Sequence, residues 1–362
     1  MLIFLFFVFI LYAVFVIAIN RGYLRLPAEC SQHIPLVTCI VAARNEQDNI
    51  QTCLQALLAQ HYPGSRMQII VVDDHSTDQT LQIAETTGRN KGRVLVCQSQ
   101  FQPWRSRKKA ALAHAIQFAT GELLLLTDAD CIPGPYWVKR MVERFTRNIG
   151  LVAGFSPQTA RASLCNRILC IDSAAAAWVS AGTIGWQHGV TCTGRNLAVR
   201  RKALEDVGGY QAFPDTLSGD DDFLLHLVQK SNAWQTAYCL EPDSVVPAHG
   251  PENLLQFIRQ KQRHLSSGTR YHAGAQFGYA IYHGLNYSLW LSGFIWPSYW
   301  WMMIVIFKLL IDFSILYNFL NQVDQQIRPV SFILWELFFP AYHLISAPAA
   351  YWGKLFWKET GK

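Results

Sequence analysis

The sequence lacks several features that mark common protein classes. No basic residue precedes the apolar run Met1–Ile19, and Arg21 and Arg25 come after it, so the basic start of a cleaved signal peptide is missing. The nine cysteines are scattered with no CxxC pair, which favours reduced thiols over disulfides or a zinc site. There is no long basic run and the formal net charge is only +6, a balance that fits attraction to anionic lipid better than nucleic-acid binding. Internal repeats and low-complexity stretches are also absent. Charged residues make up 15% of the chain, too many for a pure membrane bundle.

What is present is apolar and unevenly distributed. The 362 residues are 51% hydrophobic and 13% aromatic, and that excess is segregated into zones. Residues 1–20 form the first. At 1.5 Å per residue, a helix over Met1–Ile19 spans roughly 30 Å, the thickness of a bilayer core, and reads as a retained anchor. Arg21 and Arg25 then place the next zone in the cytoplasm. Residues 35–270 form that zone, mixed in composition and holding nearly all the acids. Residues 277–353 are apolar and aromatic, with segments Phe277–Trp296, Tyr299–Leu320 and Phe332–Trp352. Lys308 and Asp312 fall four apart inside the second, where an internal ion pair is expected. One anchor plus three spans would leave Lys354, Lys358 and Lys362 outside, so one segment is expected to lie in the interface. The expected location is an inner or plasma membrane, crossed several times.

In the middle zone, strand-like and helix-like segments alternate. Leu36–Ala43, Gln68–Val72, Arg93–Cys97 and Glu122–Thr127 read as strands, and Glu46–Gln60, Thr77–Thr86 and Arg107–Ala119 as helices. This pattern predicts an α/β fold with a mostly parallel sheet flanked by helices. Ligands bind outside the carboxyl ends of such strands, where Asp73–Asp74 and Asp128–Asp130 fall.

Asp128 and Asp130, two residues apart after the apolar run Leu123–Leu126, suit a hard divalent cation, Mg²⁺ or Mn²⁺, bridging diphosphate oxygens. A solvated turn is the bland alternative. Asp73 and Asp74 end another apolar strand, where two adjacent acids call for donors such as a base or ribose. Ser76, Thr77 or Asp78 need be no more than helix caps. Arg105, Arg107, Lys108 and Lys109 crowd a helix start, which disfavours cations unless an anion binds there. Asp220, Asp221 and Asp222 exceed what a cap requires, and crowding should raise at least one pKa, as suits a general base. Gln260 and Arg263 stand on a helical stretch before the last zone, facing either lipid headgroups or a phosphate.

Together these residues resemble family-2 glycosyltransferases with the GT-A fold, over about residues 36–270. The resemblance rests on Ala43-Arg44-Asn45-Glu46, Val72 through Asp78, Thr127-Asp128-Ala129-Asp130, Gly194 through Arg200, and Gly219-Asp220-Asp221-Asp222. It implies that Glu46 and Asp73 or Asp74 contact the nucleoside and that Lys108 lies near the diphosphate. Asp128 would meet the donor, and Asp128 with Asp130 the metal. Asp221 would be the base and Asp220 its neighbour, roles that a one-residue shift in register would exchange. Asn196, Asp222 and His264 would fall near the acceptor. Gln260 and Arg263 are similar to the QxxRW motif of membrane-integrated members such as cellulose, chitin and hyaluronan synthases and ceramide glucosyltransferase.

Three positions depart from the family pattern: Asp220 replaces a frequent Glu, Arg107 a frequent Gly, and His264 the Trp of QxxRW. The last weakens the case for processivity. The resemblance thus implies an inverting transfer from a nucleotide sugar, UDP-linked or alternatively GDP-linked, to a lipid-linked or membrane-associated acceptor. A polysaccharide synthase subunit and a silent scaffold are the competing readings. No nucleic-acid partner is expected.

Overall fold

The computed structural model describes residues 2–100, 104, 106–159, 164–213, 219–251 and 254–352. Arg105, Lys354, Lys358 and Lys362 lie outside them. In chain order the elements are α1 (Leu2–Tyr23), β1 (Val37–Ala43), α2 (Ile50–Leu58), β2 (Met67–Asp73), α3 (Thr80–Gly88), β3 (Val94–Gln98) and α4 (Arg107–Phe118). They continue with β4 (Leu123–Asp128), α5 (Trp137–Glu143), β5 (Ile149–Gly154), β6 (Gln158–Thr159), α6 (Leu164–Gly185), β7 (Leu197–Arg200) and α7 (Arg201–Asp206). The last are α8 (Asp220–Lys230), β8 (Gln235–Cys239), β9 (Ala248–His249), α9 (Leu254–Gly268), α10 (Ala273–Ile295), α11 (Tyr299–Gln322) and α12 (Pro329–Trp352).

Seven strands form one sheet in the order β3-β2-β1-β4-β7-β5-β8. β7 alone runs antiparallel to its neighbours, pairing with β4 and β5. The four strands expected from sequence are the parallel half, β1 to β4, and the sheet is the mostly parallel GT-A type foreseen. These strands are apolar on both faces because helices cover both sides: Ile40, Val41, Leu124 and Leu125 are completely buried. Each such side chain contributes about 1.5–3 kcal/mol of burial. At the carboxyl ends of β1 and β2 the chain turns sharply through Asn45 and His75, both left-handed (φ 52° and 53°).

Three helices among the described residues are long and apolar enough to cross a membrane: α1, the Arg167–Gly185 part of α6, and α11. α6 falls inside the zone read from sequence as the catalytic domain. It packs directly on α1 through glycines. A Cβ on Gly185 would stand 1.9 Å from the Gly22 carbonyl oxygen, and one on Gly182 2.5 Å from that of Ile19. Trp186 caps the crossing by donating its indole N–H to the Ala18 carbonyl at 2.8 Å.

The Lys308–Asp312 pair expected inside α11 is present at 3.1 Å. It extends further: Lys308 also binds Glu336 of α12, and the Tyr12 hydroxyl of α1 donates to Asp312 at 2.7 Å. A second buried cluster joins α6, α9 and α12, where Asp172 accepts from Lys261 and from the Tyr342 hydroxyl. Eight of the nine cysteines are free; several are buried, though Cys30 is exposed.

Candidate active site

The site is built where β4 ends. Its buried leucines carry Asp128 to the sheet edge, and the turn after it presents Asp130. Lys108, in the first turn of α4, donates to Asp128 Oδ1 at 2.6 Å and stands 3.8 Å from Asp220 Oδ2. Burial opposes its charged form, but Asp128 and Asp220 outweigh that and raise its pKa. The basic cluster therefore divides. Lys109 is fully buried and donates to the Phe213 carbonyl at 2.8 Å, whereas Arg107 reaches toward Asp74 at 4.0 Å. Carboxylates, not solvent, accommodate the cations that a helix N-terminus disfavours.

Asp220, Asp221 and Asp222 form the first turn of α8, after Gly219 at φ +82°. A side chain at position 219 would also meet Ser267 at 2.9 Å, so glycine is required there twice over. Gly194 donates its backbone N–H to Asp221 Oδ2 at 2.7 Å. Burial pushes the Asp221 carboxyl well above the usual carboxylate range, and Asp222 and Asp220 add to that shift. Asp222 is held differently. Its Oδ1 accepts from Thr191 Oγ1 and the Cys192 amide, each at 2.9 Å, and its Oδ2 accepts from the Tyr271 hydroxyl. Burial still lifts it to about 6, against those three donors.

Asn196 does not reach this site. It is fully buried, donating to the carbonyls of Phe155 and Ser244 at 2.8 Å each and accepting from Trp137 Nε1 at 2.9 Å. It fixes the loop before β7 and leaves acceptor contact to others.

Glu46, Asp73 and Asp74 gather at the neighbouring strand ends. Asp74 accepts from Ser99 Oγ at 3.1 Å and from Arg44 at 3.4 Å. Asp73 Oδ2 accepts from the Ser76 amide at 3.1 Å, while its buried Oδ1 has no partner among the described residues. Such an orphan acceptor is costly and suits a ligand hydroxyl or amine. Glu46 accepts from Asn49 at 2.7 Å, and its backbone amide is held by Thr80.

Gln260, Arg263 and His264 reach the site from α9. Gln260 accepts from Gln158 Nε2 at 3.0 Å. Arg263 lies within the field of Asp128, Asp220 and Asp221. All three line one cavity of about 990 Å³ with Lys108, Asp128, Asp130 and the Asp220–Asp222 turn. Asp73, Asp74 and Glu46 lie outside its lining. The cavity does not stop at the sheet edge: Phe15 of α1, Tyr282 and His283 of α10, and His343 and Leu344 of α12 form its far wall.

A divalent cation fits the donor set at the near end. The antiparallel bridge between Cys131 and Ala248 places His249 beside Asp130 in register, and both line the cavity with Asp128. Two carboxylates and an imidazole are apt ligands for Mn²⁺ or Mg²⁺. Among the described residues no three such groups converge enough to hold a metal by themselves.

Two family models match the chain. Glycosyl transferase family 2 covers residues 38–208, and Glycosyl transferase family group 2 covers residues 178–353. The chain belongs to glycosyltransferase family 2. It is 27% identical over 186 residues to a probable glycosyltransferase, YdaM, of Bacillus subtilis (50% of this chain, 44% of that one). It is 26% identical over 249 residues to a beta-monoglucosyldiacylglycerol synthase of Nostoc sp. (66% and 50%). It is 32% identical over 124 residues to glycosyltransferase AglE of Haloferax volcanii (33% and 39%). The chain thus spans half or less of the length of these curated relatives. Its fold matches mannosyltransferase PcManGT from Pyrobaculum calidifontis, solved with GDP-Man and Mn²⁺. That match has a TM-score of 0.60 at 17% identity, over 97% of this chain and 96% of that one.

Two residues that line this cavity escape a reading of the sequence alone. His249 is an isolated histidine, and only strand pairing brings it to Asp130. Arg195 lines the cavity from the Gly194–Arg200 motif, donating to the Ser156 carbonyl and Thr193 Oγ1 at 3.4 Å each.

Proposed function

We propose that this protein is an inverting glycosyltransferase that moves a sugar from a nucleotide sugar to a membrane-lipid acceptor. The observation that carries the reading is the single cavity that joins the Asp128, Asp130 and Asp221 carboxylates to the walls of α1, α10 and α12. Donor chemistry belongs at the polar end. Asp73 and Glu46 bind the nucleoside, and Lys108 and Arg263 face the diphosphate. Asp128, Asp130 and His249 would hold Mn²⁺ or Mg²⁺, which when bound neutralises charge on the leaving diphosphate.

Asp221 takes the proton of the acceptor hydroxyl as its oxygen attacks the anomeric carbon. A carboxylate with a raised pKa is a stronger base once ionised, and Gly194 fixes its orientation. Asp220 keeps Lys108 between donor and base. One base at the attacking side suits a single displacement with inversion. In this reading α1 and α11 would anchor the chain, and Arg21 in the last turn of α1 with Arg25 just after it favour a cytoplasmic sheet.

The test is hydrolysis and transfer by the full chain in phospholipid vesicles, with UDP- and GDP-sugars as donors, with and without Mn²⁺ or Mg²⁺. Metal-stimulated formation of a glycolipid supports the reading. No turnover of any donor, with the protein folded, sinks it.

A further inference from the structure

The proposed transfer leaves the acceptor's chemistry open, and the charges lining the cavity narrow it. Building on that reading, we propose that the acceptor is an uncharged lipid alcohol of the diacylglycerol type, its chains lying between α10 and α12, and not a lipid phosphate.

The cavity reaches exposed apolar side chains of α10 and α12. Leu344 is 57% exposed on α12 and lines the same cavity as Asp221, and Ala280, exposed on α10, lines it too. Between them the wall is a set of ring contacts: His283 and His343 are 4.6 Å apart and Phe339 and His343 4.4 Å apart, centre to centre. A lipid entering sideways passes these rings with its headgroup toward the acids.

Charge decides the headgroup. Among the described residues the cavity is lined by six carboxylates and four cations. None of those cations waits for an acceptor phosphate. Lys108 is taken by Asp128 and Asp220, and Lys261 by Asp172. Arg263 lies in the field of Asp128, Asp220 and Asp221, and Arg195 lies in that of Asp128 and Asp130. A donor diphosphate and its bridging divalent cation largely cancel, so carboxyl groups still outnumber cationic side chains along the lining when the donor is bound. A second phosphate would then sit against Asp220–Asp222 with no cation to meet it, and like charges juxtaposed in such a site are unfavourable.

The chemistry agrees. A phosphate is already ionised and needs no base, whereas a hydroxyl does, and Asp221 is positioned as one. The lipid O–H loses its proton to Asp221, its oxygen forms the new bond to the anomeric carbon, and the old carbon–oxygen bond breaks with its electrons leaving on the nucleoside diphosphate. Atoms and charge balance without a further reactant.

Two measurements on the full chain in phosphatidylcholine vesicles test this. In the first, a diacylglycerol with a photoreactive acyl chain is crosslinked without donor and the labelled peptides are mapped. Labelling concentrated on 273–295 and 329–346 is expected, with unlabelled dioleoylglycerol competing and undecaprenyl phosphate not. Ala280→Trp should lower the labelling at least fivefold, with an unchanged donor Kd as the check on folding. Labelling spread evenly over every apolar helix, or competition by undecaprenyl phosphate, overturns the inference. The second offers both lipids with UDP- and GDP-sugars. Sugar transferred to dioleoylglycerol alone supports the inference. Transfer to undecaprenyl phosphate overturns it while the transferase reading stands, and no turnover of any donor overturns both.

Discussion

The Gly194 amide and the Asp221 carboxylate lie 2.7 Å apart, and this bond joins the loop before β7 to the first turn of α8. Two more donors from the same loop, Thr191 and Cys192, bind the next acid, Asp222. The acid pair is therefore presented by a rigid seam, and its members differ. Asp222 accepts from two side-chain hydroxyls and a backbone amide, whereas Asp221, among the described residues, accepts only from the backbone amides of Gly194 and Asp222.

Asp221→Asn keeps an acceptor oxygen for the Gly194 amide, so the seam should survive while the base is lost. Transfer is expected to drop at least about 10²-fold, with donor affinity by calorimetry nearly unchanged. Full activity in the variant would move the base to Asp220.

The same group sets a pH dependence. As the proposed base Asp221 would act ionised, and burial together with its acidic neighbours raises its pKa. Activity should therefore fall as pH drops through that raised value and level off above it. The ascending limb in kcat/KM should lie above the ordinary Asp value of about 3.9. A limb at the ordinary value would assign the base to a solvated carboxylate.

Asp130→Ala and His249→Ala should each weaken the metal response. The Mn²⁺ concentration for half-maximal donor binding is expected to rise about tenfold or more, since each variant would remove one of the proposed ligands. Paramagnetic resonance of bound Mn²⁺ gives a readout independent of turnover. An unchanged response in the His249 variant would remove that residue from the metal site.

Lys108→Met removes the charged hydrogen bond to Asp128 and, on the proposed reading, a cation facing the diphosphate. Donor affinity should fall by about 1.5–3 kcal/mol, roughly ten- to a hundredfold. Titration of the nucleoside diphosphate alone separates this from an effect on the sugar.

Gly185→Val forces a side chain into the Gly22 carbonyl, where even a Cβ comes within 1.9 Å. Overpacking of this kind costs about 1–3 kcal/mol. Thermal unfolding in detergent should shift downward, and Gly278→Val, where a Cβ meets nothing within 4 Å, serves as the control.

The parallel half of the sheet was legible because each of its strands is a short apolar run followed by a helix. Asp128, Asp130, Asp220 and Asp221 were legible because acids at a sheet edge or in a helix's first turn exceed what caps need. α6 was not, since Arg167, Asp172, Ser173, Ser180 and Thr183 dilute its apolar character. Three of them have a local reason to be there: Asp172 binds Lys261, Ser180 donates to the Thr191 carbonyl, and Thr183 to that of Val179. Asn196 looked like an acceptor contact because it follows Gly194-Arg195, yet its amide is spent wholly on three buried partners. His249 depended on a pairing across more than a hundred residues, which no local pattern announces.

The clasp of Asp172 with Lys261 and Tyr342 carries a practical consequence for anyone handling this molecule. Gln260 and Arg263 ride on the same helix as Lys261, so the pocket inherits its shape from α12. Trimming the chain after residue 270 to obtain a water-soluble fragment would release that helix from Tyr342, and harsh extraction would do the same more slowly. Catalysis should then disappear while the seven-stranded core still melts cooperatively, a loss easily mistaken for an inert preparation.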